Sequence, residues 1–156
     1  MVELSLILGF IGTVTGSLST IWLLTNVWVT RHLVKRLNLD ISCEQKKAGQ
    51  ENFLIMAVSV ENVGGTRVEP QVAKLTITSE NVQFFDKTES AWSKELIIDC
   101  HEFWDEVVDP NEIIHRGYAV KTKGTGVVDI FFLVTSPRTF LHPKPWTWTY
   151  AKCGCV

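Results

Sequence analysis

The chain has 156 residues, a formal net charge of −2 and a hydrophobic content of 46%. After an apolar N-terminal segment, about 115 residues remain, which is enough for one domain with its own core. The charge is unevenly distributed: it is +2 over residues 1–36, −9 over 37–112 and +5 over 113–156. This asymmetry suggests either complementarity within the domain or a basic surface for an anionic partner, and duplex nucleic acid is not an expected partner.

The N-terminal segment Leu4–Thr30 contains 27 residues and no charged side chain. Because roughly 20 apolar helical residues cross a bilayer, we predict a transmembrane helix and assign it, with the basic collar after it, to residues 1–36. A cleaved signal peptide is the alternative. It would require a cationic start and a small-residue cleavage pattern, and this sequence has neither.

The orientation of the predicted helix follows from its flanks. Arg31, Lys35 and Arg36 follow the helix and no Lys or Arg precedes it. Since cations near a membrane helix stay on the cytoplasmic side, we expect a single-pass protein of the inner (plasma) membrane with its N-terminus outside and its C-terminal domain in the cytoplasm. The four cysteines should then be reduced, whereas the opposite orientation would make Cys43 and Cys100 candidates for a disulfide.

The predicted helix also carries small residues at helical spacing. Gly9, Gly12 and Gly16 follow one another at three- and four-residue steps, and the last two form a GxxxG motif. Small residues at this spacing let two helix backbones approach closely, so we expect membrane lipid and further copies of the chain as partners, in a homo-oligomer.

From Leu37 onward, apolar and polar residues alternate as in half-buried strands, separated by turn residues. A short helix or helical turn is predicted within 99–109. The fold class expected for residues 37–152 is mainly β, an antiparallel sandwich or barrel. The predicted strands are 37–43, 53–60, 72–78, 82–85, 96–98, 113–122, 127–135 and 146–150, and the predicted turns are 46–50, 62–66 and 123–126.

One short stretch resembles a known type of module. The run from Ile55 to Ile77, with VENVGGTRVEP at its centre, is similar to the strand–turn–strand of immunoglobulin-like bacterial modules. The resemblance implies a sandwich and carries no function.

No enzyme is predicted. His101 lies among five acids between Asp99 and Asp109, but the stretch lacks the spacing of a metalloprotease or calcium motif and is better explained as a solvated acidic face. We therefore expect no catalytic residue, metal or cofactor. The last four residues, 153–156, hold two cysteines that could bind a soft metal or form a redox pair, and a frayed tail is the expectation.

The stretch Arg138–Lys152 combines cations with aromatic side chains and contains no acid. Cations neutralise phosphates and aromatic faces stack on bases, so this stretch and the basic residues before it predict a site for an anionic ligand. Two alternatives stay open: the aromatics of 146–150 form the core face of the last strand, or the segment lies on anionic lipid. The candidate ligand-binding residues are Arg116, Lys121, Lys123, Arg138, His142, Lys144, Trp146 and Trp148.

The overall layout, one small-residue-rich membrane helix before a small β domain, resembles the single-helix membrane effectors of bacterial antiphage defence. It is most similar to those of type III CRISPR systems that respond to cyclic tetra-adenylate. The resemblance implies an oligomeric, non-catalytic sensor that binds a cyclic oligonucleotide and perturbs the membrane. The competing hypothesis is a membrane-tethered β-sandwich that docks protein and binds no small molecule.

Overall fold

The computed structural model describes residues 19–26, 34–103, 105–138 and 144–155. Residues 19–26 are helical, and their large apolar side chains, from Ile21 to Leu24, are 58–67% exposed. Within the described ranges, no helix combines the length and apolar character that crossing a bilayer requires. Most of the predicted span Leu4–Thr30, including Gly9, Gly12 and Gly16, lies outside the described residues.

Among the described residues from Leu37 onward there are nine strands, in agreement with the predicted mainly β class. They are β1 (Leu37–Ala48), β2 (Glu51–Asn62), β3 (Val72–Thr78), β4 (Gln83–Asp86), β5 (Ala91–Ser93), β6 (Glu95–Asp99), β7 (Ile113–Lys123), β8 (Val127–Ser136) and β9 (Trp146–Cys155). All of the strand pairings are antiparallel.

The strands form two sheets. Sheet 1 has the order β1-β2-β7-β4-β5, and sheet 2 has the order β6-β3-β8-β9. Their inward side chains belong to one hydrophobic cluster, so the two sheets make a sandwich. Fully buried members come from both sheets, and each contributes roughly 1.5–3 kcal/mol through removal of apolar surface from water. Examples are Ile41, Met56 and Phe84 in sheet 1 and Leu75 and Phe132 in sheet 2.

The two ends of the sandwich carry different chain segments. The end that includes Leu37, Asn62, Ile113 and Ser136 receives the chain from the N-terminal segment, and we call it the proximal end. The opposite end contains the β1–β2 and β7–β8 turns, and we call it the distal end. β2 runs from one end to the other, because 12 residues span about 40 Å in a strand.

Several boundaries differ from the sequence prediction. β1 continues to Ala48 through the predicted turn at 46–50, because Lys46 and Lys47 pair with Phe53 and Asn52 of β2. β5 has only three residues and was not predicted. The short helix or helical turn expected within 99–109 is a 3-10 turn at His101–Phe103.

The prediction of a frayed C-terminal tail is corrected by the structure. β9 continues through Gly154 and Cys155, which pair with Val128 and Val127 of β8. Gly154 also packs under β1: a Cβ at this position would lie 3.0 Å from the Cys43 sulfur. Pairing on one side and packing on the other explain why these residues are ordered as a strand.

Candidate functional site

The predicted ligand-binding residues do not meet at one place. Lys121 and Lys123 lie at the distal end of β7, on the outward face of sheet 1. Arg138, Lys144 and Trp146 lie at the proximal end, where β8 finishes and β9 begins. His142 falls outside the described residues.

Arg116 is separated from the other β7 cations by strand geometry. Successive strand residues point to opposite faces, so Arg116 lies on the inward side of β7, with Ile114. Its guanidinium forms an ion pair with the Glu106 carboxylate and lies 5.8 Å from the centroid of the Phe103 ring. Arg116 therefore holds the 103–106 segment against the sandwich and is not directed at the same surface as Lys121 and Lys123.

The distal end brings cations and aromatic rings together. Trp92 of β5 pairs with Phe85 of β4, and their ring centroids are 5.4 Å apart. Lys123 pairs with Gln83 of β4, which places it on the outward face that also carries these two rings. We call this the basic–aromatic surface, and it comprises Lys46, Phe53, Phe85, Trp92, Lys121 and Lys123.

An open depression of about 330 Å³ lies in the basic–aromatic surface, lined by Trp92, Lys121, Lys123, Gly124 and the 50–52 segment. The Lys121 ammonium forms an ion pair with the Glu51 carboxylate. Lys123 is exposed and has no ion-pair partner within the part of the chain that the structure describes. The depression thus offers one unpaired cation, a second cation that a ligand could share with Glu51, and a Trp92 ring that is 38% exposed.

The loop beside the depression depends on a glycine. Gly124 has a φ of 99°, and a Cβ there would lie 2.6 Å from the Asn81 carbonyl oxygen. Only glycine adopts this conformation at this distance without displacing backbone. The Gly124 turn therefore fixes the position of Lys123 relative to β4.

The aromatics of β9 face inward. Trp148 and Tyr150 pack against the hydrophobic core, which agrees with the core alternative for these two residues. The rings of Trp146 and Trp148 are stacked, with centroids 6.2 Å apart and planes 11° apart. Tyr150 also contacts β1, where its hydrogen bond to the Asp40 carboxylate raises the pKa of the Tyr150 hydroxyl.

The segment that leads from the N-terminal region into β1 is fixed to the proximal end. Val63 donates its backbone N–H to the Arg36 carbonyl at 3.1 Å, and the Lys35 ammonium donates to the buried Ser136 hydroxyl at 2.9 Å. Burial lowers the pKa of Lys35, and the charge of Glu69 partly opposes that change. Residues 34–36 are therefore held to the sandwich by both backbone and side-chain contacts.

One buried asparagine organises the loops next to this junction. Asn62 is fully buried, and its side-chain amide donates to the carbonyls of Thr66 and Val108, both at 2.8 Å. Its side-chain oxygen accepts from the Gly64 N–H at 3.0 Å. A Cβ at Gly64 would lie 2.7 Å from the Val34 carbonyl oxygen, so the turn that Asn62 shapes presses directly on the 34–36 segment.

The acidic stretch around His101 lies next to a buried thiol. Cys100 is fully buried, and desolvation raises the pKa of its thiol to about 11, assisted by the charges of Glu102 and Asp99. Burial, together with the nearby Cys100 and Glu102, also raises the pKa of the Tyr118 hydroxyl. These groups stay protonated at neutral pH. Over the described residues, no cluster of three or more His, Cys, Asp or Glu side chains is arranged to hold a metal ion.

The outward face of sheet 2 has a different character. The register aligns Ile97, Thr76, Phe131 and Ala151 in one row across β6, β3, β8 and β9. Ile97 is 57% exposed and Phe131 is 42% exposed. A groove of about 430 Å³ is lined by Thr76, Phe131 and Ala151 of this row and extends to Cys153.

The sequence singled out Lys121 and Lys123 but missed the aromatic partners that the fold gives them. Trp92 and Phe85 precede these lysines by 29 to 38 residues and reach them through the β4–β5 and β4–β7 pairings. The one available signal was Phe53. Its position in β2 alternates with the buried Leu54 and Met56, which places it on the outward face.

No protein-family model matches the chain, and no curated protein matches it. Among solved structures, it is similar to a Bordetella pertussis protein described as ApaA, with 10% identity and a TM-score of 0.54 over 80% of this chain and 94% of that one. A beta-glucosidase 3B from Thermotoga neapolitana matches at 10% identity and a TM-score of 0.38, over 78% of this chain and 16% of that one. The first likeness shows the fold alone, and the second is too distant to bear on it.

Proposed function

We propose that the protein is a membrane-anchored, oligomeric sensor. Its sandwich binds an anionic ligand at the basic–aromatic surface, and its N-terminal helix perturbs the membrane in response. The observation that carries the proposal is the convergence of Lys121, Lys123 and the exposed Trp92 ring around one depression. Phosphate charge and a flat heterocyclic base are the two features that such a surface recognises, so a cyclic oligonucleotide such as cyclic tetra-adenylate is the best candidate.

The size of the depression bears on the number of copies required. About 330 Å³ is at the low end of small-molecule sites, which are roughly 300–1,000 Å³. One copy therefore fits about one nucleotide unit, and a larger cyclic ligand would be covered by several copies. The predicted association of N-terminal helices through Gly12 and Gly16 would supply those copies side by side.

The contacts of the 34–36 segment support an output through the helix. A plain tether requires only a flexible linker, whereas these residues are hydrogen-bonded to the sandwich. A ligand that prefers one arrangement of the sandwiches shifts the arrangement of the helices to the extent that the connection is rigid. The proposed sensor meets that requirement at residues 34–36.

The test is ligand binding by the full chain in lipid nanodiscs, measured as a shift in melting temperature with cyclic tetra-adenylate. Trp92→Leu removes the stacking ring, and since stacking is worth about 1–3 kcal/mol per base, we expect it to weaken binding by roughly 5–150-fold. Lys123→Gln should weaken binding and reduce its dependence on salt. Lys94→Gln, an exposed lysine outside the surface, is the matched control and should leave binding unchanged.

The ligand part of the proposal would be refuted if a panel of cyclic oligonucleotides produced no shift with the wild-type chain. It would also fail if Trp92→Leu and Lys94→Gln bound equally well. Replacing Gly12 and Gly16 with Leu should leave the basic–aromatic surface of each copy able to bind its nucleotide unit. The same replacement should abolish membrane perturbation, measured as dye release from vesicles.

A second candidate is a membrane-tethered scaffold that assembles through the sandwich and binds no small molecule. The exposed row of Ile97 and Phe131 on sheet 2 favours it, and the occupant of that row would be a second copy held nearby by the helix. Phe131→Asp should then lower the oligomeric mass of the purified full chain. An unchanged mass would remove this candidate.

A further inference from the structure

A basic corner occurs at the proximal end of the sandwich, formed by the exposed side chains of Arg36, Arg138 and Lys144. Three chain segments meet there. The Lys35 ammonium donates to the Ser136 hydroxyl at 2.9 Å, and Ser136 pairs with Trp146 at the start of β9. Arg36, Arg138 and Lys144 therefore lie within two residues of these contacts, and all three are exposed.

The charge at the proximal end is polarised. Residues 34–38, 136–138 and 144–148 contain four Lys or Arg and no Asp or Glu. The acids of this end are concentrated in the loop before β7, where Asp105, Glu106, Asp109 and Glu112 lie. Two acids lie beside the basic segments: the Glu61 carboxylate accepts from the Asn38 amide at 3.2 Å, and the charge of Glu69 acts on Lys35. With four cations against these two acids, the three adjoining segments keep a net positive charge.

The short segment between the predicted membrane helix and the sandwich limits the distance between the basic corner and a bilayer. The predicted membrane segment ends at Thr30, and the chain is fixed to the sandwich from Val34 onward. Four residues span at most about 14 Å when fully extended. The screening length is about 8 Å in physiological salt, so attraction between these cations and anionic headgroups acts over most of that distance.

We propose that the basic corner docks on the anionic headgroups of the leaflet next to Thr30. Lys and Arg are attracted to anionic lipid, by about fivefold in surface affinity for each residue. The partner is the lipid surface itself. Docking this end turns the distal basic–aromatic surface away from the bilayer and towards solvent, where a soluble ligand can reach it.

The inference rests on the membrane anchor of the proposed function. The experiment is lysine acylation of the full chain in nanodiscs, with the rate at each lysine measured by mass spectrometry. Discs of phosphatidylcholine alone are compared with discs that also contain phosphatidylglycerol. We expect Lys144 to react several-fold more slowly in the anionic discs, and added salt to restore its rate. Lys47 and Lys94, at the distal end, are the internal controls and should react equally in both discs.

Variants sharpen the test. Arg138→Glu should remove most of the protection of Lys144 without changing the melting temperature, because Arg138 is exposed. Lys94→Glu changes the net charge equally and should leave the protection intact. Equal Lys144 rates in both discs, or an equal loss of protection in both variants, overturns the docking while the anchor and the ligand site stand. Release of the chain from vesicles by alkaline carbonate overturns the anchor and the docking together.

Discussion

Asn62→Ala is the substitution whose effect follows most directly from the structure. The Asn62 side chain is fully buried and makes three hydrogen bonds, to Thr66, Val108 and Gly64, at 2.8–3.0 Å. The alanine variant removes all three at once. The Val108 carbonyl keeps a second donor, the Val68 N–H at 3.0 Å, so the groups left without this partner are the Gly64 N–H and the Thr66 carbonyl.

The magnitude can be worked from these contacts. A typical hydrogen bond contributes about 0.5–1.5 kcal/mol, and a buried group left without a partner costs about 1–3 kcal/mol. Two such groups in a partly buried turn give a loss of roughly 3 kcal/mol in the free energy of unfolding, out of the 5–15 kcal/mol typical of a domain. For a domain of this size we expect the melting temperature to fall by roughly 10–15 °C.

The assay is urea unfolding of the full chain in detergent, followed by tryptophan fluorescence, together with a thermal melt. Asn38→Ala is the matched control: Asn38 is exposed, and its amide donates to Glu61 at 3.2 Å. Its loss should stay within about 0.5 kcal/mol, as is usual for surface substitutions. If Asn62→Ala and Asn38→Ala destabilised the chain equally, Asn62 would not organise the proximal loops as described.

Three further outcomes are expected. Gly64→Ala should lower the free energy of unfolding by about 1–3 kcal/mol, because the new Cβ would clash with backbone atoms of the 34–36 segment. Gly117→Ala is its control and should be near neutral in the same melt, because a Cβ at Gly117 has no neighbour within 4 Å. Gly124→Ala should lower both stability and ligand affinity, whereas Gly49→Ala, with a φ of 65° but open space around it, should cost only about 1 kcal/mol of backbone strain. The pKa of the Cys100 thiol is raised from 9.0 to about 11 in the folded state, so between these pH values the folded chain keeps a proton that the unfolded chain loses. The free energy of unfolding therefore falls as pH rises from about 9 towards 11. Cys100→Ala should show a shallower decline over that range, and equal slopes would contradict the assignment.

Alternation of apolar and polar residues was sufficient to predict the long strands. Val72–Thr78 was predicted with the bounds that the structure shows, because its side chains alternate between the core and the outward face along the whole strand. β5 could not be predicted, since three residues are too few to show the alternation of apolar and polar side chains that marks a strand. Trp92 is in a strand because it pairs with Phe85 of β4. Cys155 is in a strand for the same kind of reason, its pairing with Val127.

The candidate site was only partly predictable. The stretch Arg138–Lys152 was selected because its cations and aromatics are neighbours in sequence. In the structure, however, Trp148 and Tyr150 are half-buried and pack against the core. The basic–aromatic surface is assembled from five strands, and two of them, β4 and β5, are short. Their pairing depends on tertiary contacts that no local pattern contains, so Trp92 could not be connected with Lys123 in advance.

The contact between β1 and β9 decides where another chain could extend this fold. The Lys152 ammonium donates to the Ile41 carbonyl at 2.7 Å, and Gly154 lies beneath Cys43, so β9 covers the outer edge of β1. An incoming strand cannot add there without displacing these contacts. β9 is itself the outer strand of sheet 2, and the same contacts place it against β1. The other two edge strands, β5 and β6, have only three and five residues, and short edges are poor templates for strand addition. For the proposed membrane-anchored oligomer, this means that the copies would assemble through side-chain surfaces and not as one continuous sheet.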